Sequence, residues 1–344
     1  MKTKRVLVLA TSRKTRGGVT AVLKAYEQFP FWEMYKVCWI ETHIDKHKIV
    51  KYMFAIKALI QYLMCVWFYD IVHIHTSELP SVRRKYFFFK IAKLLRKKII
   101  IHLHIGNQLV DYKGNIYYKE LFDGADKIIV LSQSIRQTLV RLFGGKKKIY
   151  VIYNPCPIVP SVQYTDTYKE ILFAGTLNKN KGYSVLIRAF AQIASSFPEW
   201  KLVLAGNGEL AEAKQIVSEC GILDQVLFLG WVKGEQKDLL FRKASVFCLA
   251  SYAEGFPMAV LDAWSYGIPV ISTPVGGLPD VLLDGENVLF FQPGDIDGLS
   301  DKLKCLLTDD SLRLRLSDAS LCLANGEFSV SYVNEQMVDL YGKL

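Results

Sequence analysis

Twice along the chain, short apolar runs of strand length alternate with amphipathic segments of helix length. No other feature limits the fold as strongly. Strands covered by helices on both faces need nearly unbroken apolar runs, and parallel strands need a helix to return between them. In the first half the runs are Arg5–Ala10, Val37–Ile40, Ile71–Ile74, Ile99–Leu103, Lys127–Leu131 and Ile149–Ile152. Helices are expected to start near Val19, Ile49 and Leu79, and after Ser132 acting as an N-cap. The second half repeats the pattern at Glu170–Ala174, Lys201–Ala205, Val226–Leu229, Ser245–Leu249, Pro269–Ser272 and Asn287–Phe290, and residues from Ile296 onward read as helical. Between the halves, Tyr153–Tyr168 holds three prolines and loses the periodicity. The expected organisation is therefore α/β: a domain over 1–155, a linker over 156–168, a second domain over 169–325, and a helix over 326–344 packing back on the first. Two doubly wound sheets facing one another would form a cleft at the carboxyl ends of their strands, where ligands bind.

Charge divides along the same boundary. Residues 1–160 carry 28 Lys and Arg against 10 Asp and Glu, a balance of +18, whereas residues 161–344 carry 15 against 23, a balance of −8. The first domain is thus suited to an anionic partner. Acidity in the second half, and the lack of a recognised reading motif, argue against nucleic acid. Seven scattered cysteines with no C-x-x-C pair suit a reducing compartment and a cytoplasmic protein. Apolar Tyr52–Tyr69 is interrupted by Lys57 and Gln61, so it is expected to be a largely buried helix rather than a membrane span.

Five stretches after strands carry residues that packing alone would not select. Gly17 and Gly18 precede the first helix, where paired glycines admit either a phosphate or a plain tight turn. His102 and His104 share one side of their strand, with His104 nearer its carboxyl end, beside Gly106; His73 and His75 end the preceding strand. Gly175, Thr176, Lys179 and Lys181 form a turn that could hold a diphosphate, Lys181 supplying point charge. Gly206 sits in a further glycine-rich turn. The fifth stretch is Ala253–Gly277, AEGFPMAVLDAWSYGIPVISTPVGG. Here Glu254 precedes a helix begun by Pro257, and Asp262 lies about a turn and a half inside it. Two carboxylates so placed could grip the hydroxyls of a sugar and of a ribose, with the Phe256, Met258 and Ala259 amides between them facing phosphate.

These stretches, in this order, resemble the retaining glycosyltransferases of family 4, which have the GT-B fold of two Rossmann-like domains. The family's E-G-x-P-x-x-x-x-E is similar to Glu254, Gly255, Pro257 and Asp262, followed by Ala263, Gly267, Pro269, Val270 and Ile271. Its G-R-L-x-x-x-K-G resembles Gly175, Leu177, Lys181 and Gly182; its Gly-Gly-Val matches Gly17–Val19, and its N-P signature Asn154-Pro155. Two departures stand out: Asp262 replaces the usual glutamate, and Thr176 the usual arginine, leaving Lys179 as the nearby cation.

The resemblance implies transfer of a sugar, with retention, from a UDP- or GDP-linked donor to a glycan or lipid-linked acceptor, in cell-surface polysaccharide synthesis. His104, Glu254 and Lys181 would be catalytic. Gly17, Gly18, Gly175, Thr176, Lys179, Gly206, Gly255, Phe256, Pro257, Met258 and Asp262 would join Lys181 and Glu254 around the donor. The family needs no metal or cofactor. A basic, aromatic segment, Arg83–Lys98, holds Arg83, Arg84, Lys85, Lys90, Lys93, Arg96, Lys97 and Lys98 without an acid. It could meet an anionic acceptor or the inner face of the membrane, or simply pack on the sheet with a solvated basic face. Within the fold, a nucleotide-sugar 2-epimerase and a non-catalytic subunit are the alternatives.

Overall fold

The computed structural model describes residues 3–145, 148–160, 164–165 and 167–344. It divides into two compact units, one of Met1–Pro155 with Val330–Leu344, the other of Cys156–Ser329. Within the expected linker, residues 161–163 and 166 lie outside the described set.

In the first unit the strands are β1 (Val6–Thr11), β2 (Cys38–His43), β3 (Ile71–Thr76), β4 (Lys98–Leu103), β5 (Lys127–Val130) and β6 (Ile149–Val151). They form one parallel sheet in the order β2-β1-β3-β4-β5-β6. Helices cover both faces, and this burial explains why β3 and β4 read as unbroken apolar runs in which histidines stand out. Ser132 caps the helix Gln133–Phe143, its hydroxyl accepting from the Ile135 amide at 3.0 Å. Two helices escape the sequence pattern, Pro30–Met34 and Ile116–Gly124.

The helix Val330–Gly342 belongs to this unit. Its Tyr341 hydroxyl pairs with His73 Nδ1 at 2.7 Å, and its Asn334 side chain accepts from the Phe31 amide at 3.0 Å. The Tyr341 ring meets Tyr35 and Phe31 edge-on, at 5.0 and 5.7 Å between centroids.

The burial expected for Tyr52–Tyr69 does not hold. The helix Lys48–Cys65 buries only Ala58 and Tyr62, so it is far from a core helix. A helix lying on a sheet has one side against it, and this one is apolar on both sides.

The second unit repeats the architecture with β7 (Glu170–Ala174), β8 (Lys201–Ala205), β9 (Val226–Phe228), β10 (Ala244–Leu249), β11 (Val270–Ser272) and β12 (Leu289–Phe290). Their parallel order is β12-β11-β10-β7-β8-β9. From β7 the chain winds first toward β9 and then, from β10, toward β12. The junction of β7 and β10 is therefore the point where strand order reverses, and ligands of open α/β sheets bind at such a point.

Candidate active site

The turns after β7, β8, β10 and β11 interlock. Leu177 and Glu209 amides donate across the two glycine-rich turns, Leu177 to Asn207 O and Glu209 to Leu177 O, both at 2.8 Å. Gly206 permits this approach: a Cβ there would lie 1.7 Å from Gly175 O. Asn178 caps the following 3-10 turn by accepting from the Lys181 amide at 3.0 Å. Asn180 ties that turn to the one after β10, its carbonyl accepting from the Tyr252 amide at 2.8 Å and its side chain donating to Ala253 O at 3.0 Å. Gly182, at φ +63°, lies so near Ala250 that a Cβ would be 2.0 Å from its carbonyl oxygen. Finally Gly277 donates to Gly255 O at 2.9 Å, bringing in the turn after β11.

This scaffold places Lys181 and Glu254 together at the reversal point. Lys181 Nζ is 2.5 Å from Glu254 Oε1, which also accepts from the Ser251 hydroxyl at 2.7 Å. Both side chains keep some exposure, 26% for Lys181 and 13% for Glu254. An ammonium has three N–H donors and a carboxylate two oxygens, so Lys181 retains donors and Glu254 retains Oε2 for a third party. The pair therefore presents positive charge and a hydroxyl acceptor side by side.

Next to it begins the helix Met258–Ser265, with Pro257 as N-cap rather than first helical residue. The amides of Met258 and Ala259 precede the intrahelical ladder and carry the positive end of its dipole. Asp262 is neither exposed nor alone: Lys237, on the helix Glu235–Lys243, reaches its Oδ1 at 2.7 Å. Burial pushes the Asp262 pKa up, while Lys237 holds it back. Thr176 and Lys179 stand exposed on the same turns as Lys181, and Phe256 and Pro257 are buried beneath the helix start.

In the first unit, Gly17 takes φ +137° at the start of the helix Gly18–Tyr26, with open space where a side chain would be. At the ends of β3 and β4, His73, His75, His102 and His104 stack, with neighbouring ring centroids 4.3–5.5 Å apart. His75 Nδ1 lies 2.9 Å from His104 Nε2. Burial lowers all four pKa values, to about 3 for His73 and for His104. His104 keeps part of its surface open but is a neutral imidazole, able to hydrogen-bond through Nδ1 rather than to supply charge. His73, His75 and His102 bring ligating nitrogens within 4.8 Å of one another, a set of neutral donors that could hold a metal. Both His102 nitrogens, His73 Nε2 and His75 Nε2 lack a hydrogen-bond partner among the described residues.

Two family models match the chain in succession: one described as Glycosyltransferase Family 4 over residues 40–158, the other as Glycosyl transferases group 1 over residues 159–320. The chain belongs to the group 1, family 4 glycosyltransferases. A glycosyltransferase of Haemophilus influenzae is 26% identical over 67% of this chain, the match spanning 64% of that relative and so less than two thirds of its length. A Campylobacter jejuni alpha-1,4-N-acetyl-D-galactosaminyltransferase, named for a PP-undecaprenol-linked glycan, is 28% identical over 58% of this chain and 55% of its own. In fold the chain is similar to Anabaena HepE, solved in complex with UDP, with a TM-score of 0.81 at 18% identity over 99% of this chain and 100% of that one. The fold is GT-B.

Around the basic segment Arg83–Lys98 the structure corrects the sequence reading. Lys85 is 1% exposed, donating to His75 O and, at 3.0 Å, to Ser81 Oγ, so it cannot meet an acceptor or a membrane. Burial lowers its pKa to about 7. The helix ends at Leu94, and Lys98 already belongs to β4, paired with Asp126 at 3.0 Å. Lys97 donates to Tyr69 O at 2.7 Å, and Lys90 pairs with Glu120 at 2.9 Å. Arg83, Lys93 and Arg96 are exposed, Arg84 half-buried. The sequence reading missed Ser251 and Lys237. Ser251 stands three residues before Glu254 and was within reach of a closer reading, whereas nothing near Lys237 signals its partner 25 residues away.

Proposed function

We propose that this glycosyltransferase binds a nucleoside-diphosphate hexose in its second unit and passes the sugar, with retention, to a glycan or lipid-linked acceptor. One observation carries the reading: the Lys181–Glu254 pair lies where strand order reverses, beside the start of the helix Met258–Ser265. Lys181 would donate to diphosphate oxygens together with the Met258 and Ala259 amides, and Glu254 Oε2 would accept from sugar hydroxyls. Asp262, steadied by Lys237, would accept from the ribose. As the nucleoside diphosphate departs its negative charge grows, and donors already in place stabilise that charge more than the ground state. Such a departure lets the leaving phosphate take the acceptor's proton on the same face, so that configuration is kept. In the first unit, Gly17, Gly18 and neutral His104 would contact substrate through amides and a ring nitrogen.

A uracil nucleotide is the first candidate donor, because HepE was solved with UDP. A lipid-linked acceptor at the inner face of the membrane follows the Campylobacter relative's name and suits a role in cell-surface polysaccharide synthesis. Thermal-shift titration with UDP, GDP and their sugars tests the donor, since a ligand of the native state raises its melting temperature. A UDP-sugar should raise it in the wild type and much less in Lys181→Met; no shift with any sugar nucleotide would overturn the reading. Turnover that proceeds without acceptor would instead indicate a 2-epimerase.

A further inference from the structure

We propose that the helix Lys48–Cys65 and the turn Val66–Phe68 seat the protein on an anionic lipid bilayer. This inference goes beyond the transfer reaction and does not depend on it. Ile49, Met53, Ile56, Ile60, Met64 and Trp67 are 53–75% exposed. Their spacings of four, three, four, four and three residues return to one face of a helix, so they make a single stripe along its length. A soluble surface seldom carries so continuous an apolar band.

The opposite face is already taken. Ala58, Tyr62 and Val66 are buried, Tyr62 stacks edge-on with Phe88 at 5.1 Å, and its hydroxyl donates to Phe88 O at 3.0 Å. In length and hydropathy, Lys48–Phe68 would suffice to cross a membrane, yet only 17% of its most apolar window is buried. Crossing would pull Tyr62 away from Phe88 and Val66 out of the core of the first unit. Lying flat satisfies both faces at once, one on protein and one in the boundary between headgroups and acyl chains.

Charge selects the occupant. No Asp or Glu occurs from Lys46 to Tyr69, and Lys46, Lys48 and Lys57 are exposed. On a helical projection Lys57 falls at one margin of the stripe, where headgroup phosphates would sit, and Lys48 opens the helix at its exposed end. Trp67 and Phe68 at its end are side chains that favour the membrane interface. A second copy of the chain would set these lysines against identical lysines, and the carboxylate nearest the helix, Asp45, is already paired with Lys51 at 3.4 Å. Anionic lipid is the complementary partner.

The test is flotation of the full chain with vesicles of phosphatidylcholine plus phosphatidylglycerol, beside vesicles of phosphatidylcholine alone. Wild type should float with the anionic vesicles at low salt and progressively less as salt rises. The combined variant Ile56→Gln, Ile60→Gln, Met64→Gln and Trp67→Gln should partition on the order of tenfold or more less well. Because those side chains already face water, its melting temperature and its UDP-sugar binding should match wild type, which separates this inference from the donor reading. The proposal is overturned if wild type ignores anionic vesicles, or if the variant floats as well as wild type. It is also overturned if Arg83→Glu with Arg96→Glu abolishes flotation while the apolar variant keeps it. A concentration-dependent dimer in light scattering that the apolar variant abolishes would assign the face to a second copy, and would equally end the proposal.

Discussion

The two units share six parallel strands and helices on both faces, yet the chemistry at their strand ends differs in kind. In the second unit, strand ends give way to glycine-rich turns that draw Lys181 and Glu254 into contact and leave each with hydrogen-bonding capacity. In the first, the ends of β3 and β4 carry four stacked neutral imidazoles, and Lys85, reaching His75 O from the helix that follows β3, has its pKa pulled to about 7. All six histidines of the chain precede residue 105. A doubly wound sheet thus fixes where chemistry can stand without deciding which chemistry. One unit holds charge ready, and the other keeps polar atoms uncharged by taking water away from them.

The sharpest way to break this contrast is to remove charge from the second unit. Lys181→Met or Glu254→Gln should lower kcat/KM by roughly 100- to 1,000-fold, as loss of a group that stabilises developing charge does. If His104→Ala cost as much while these variants were mild, the assignment of roles to the two units would be reversed. Next in size is the interlock of turns. Gly206→Ala forces a Cβ against the Gly175 carbonyl and should cost on the order of 3 kcal/mol, read as a lowered melting temperature.

Acid should act on the first unit. Its buried histidines are lowered, to about 3 for His73 and His104, from an ordinary value of 6.5. Between those values the unfolded chain binds protons that the folded chain refuses. The histidines' share of stability is therefore fully present above about pH 6.5 and falls as pH drops toward 3, by roughly 1.4 kcal/mol per pH unit for each ring. His102→Leu should remove about one ring's share of that slope in melting temperature against pH. A smaller effect is expected from Lys237→Met, which leaves Asp262 without its partner and should raise the donor KM by about three- to tenfold. Smallest of all, Arg83→Glu should change stability by no more than about 0.5 kcal/mol, being exposed.

Every strand was legible because burial on both faces leaves an apolar run, and bounds shifted by no more than about three residues, as with β2. Motif spacing placed Lys181 and Glu254 on the turns after two strands that prove to be neighbours in the sheet, and Asp262 in the helix that follows Glu254. What the pattern left out were facts about orientation. The helix Lys48–Cys65 is apolar on two sides, and composition cannot tell which side meets the sheet. Lys85 looks like its neighbours in a basic run, but its position in the helical turn points it inward toward Ser81. The Lys237 partnership depends on two helices meeting, and no local spacing records that.

The return of the helix Val330–Gly342 to the first unit carries a consequence for synthesis. Tyr341 closes over His73 in a sheet whose strands left the ribosome long before, after the whole of residues 156–329 has been made. The half that is translated first is therefore completed last. Until its final helix arrives, the nascent protein must shelter an unroofed layer of aromatic rings.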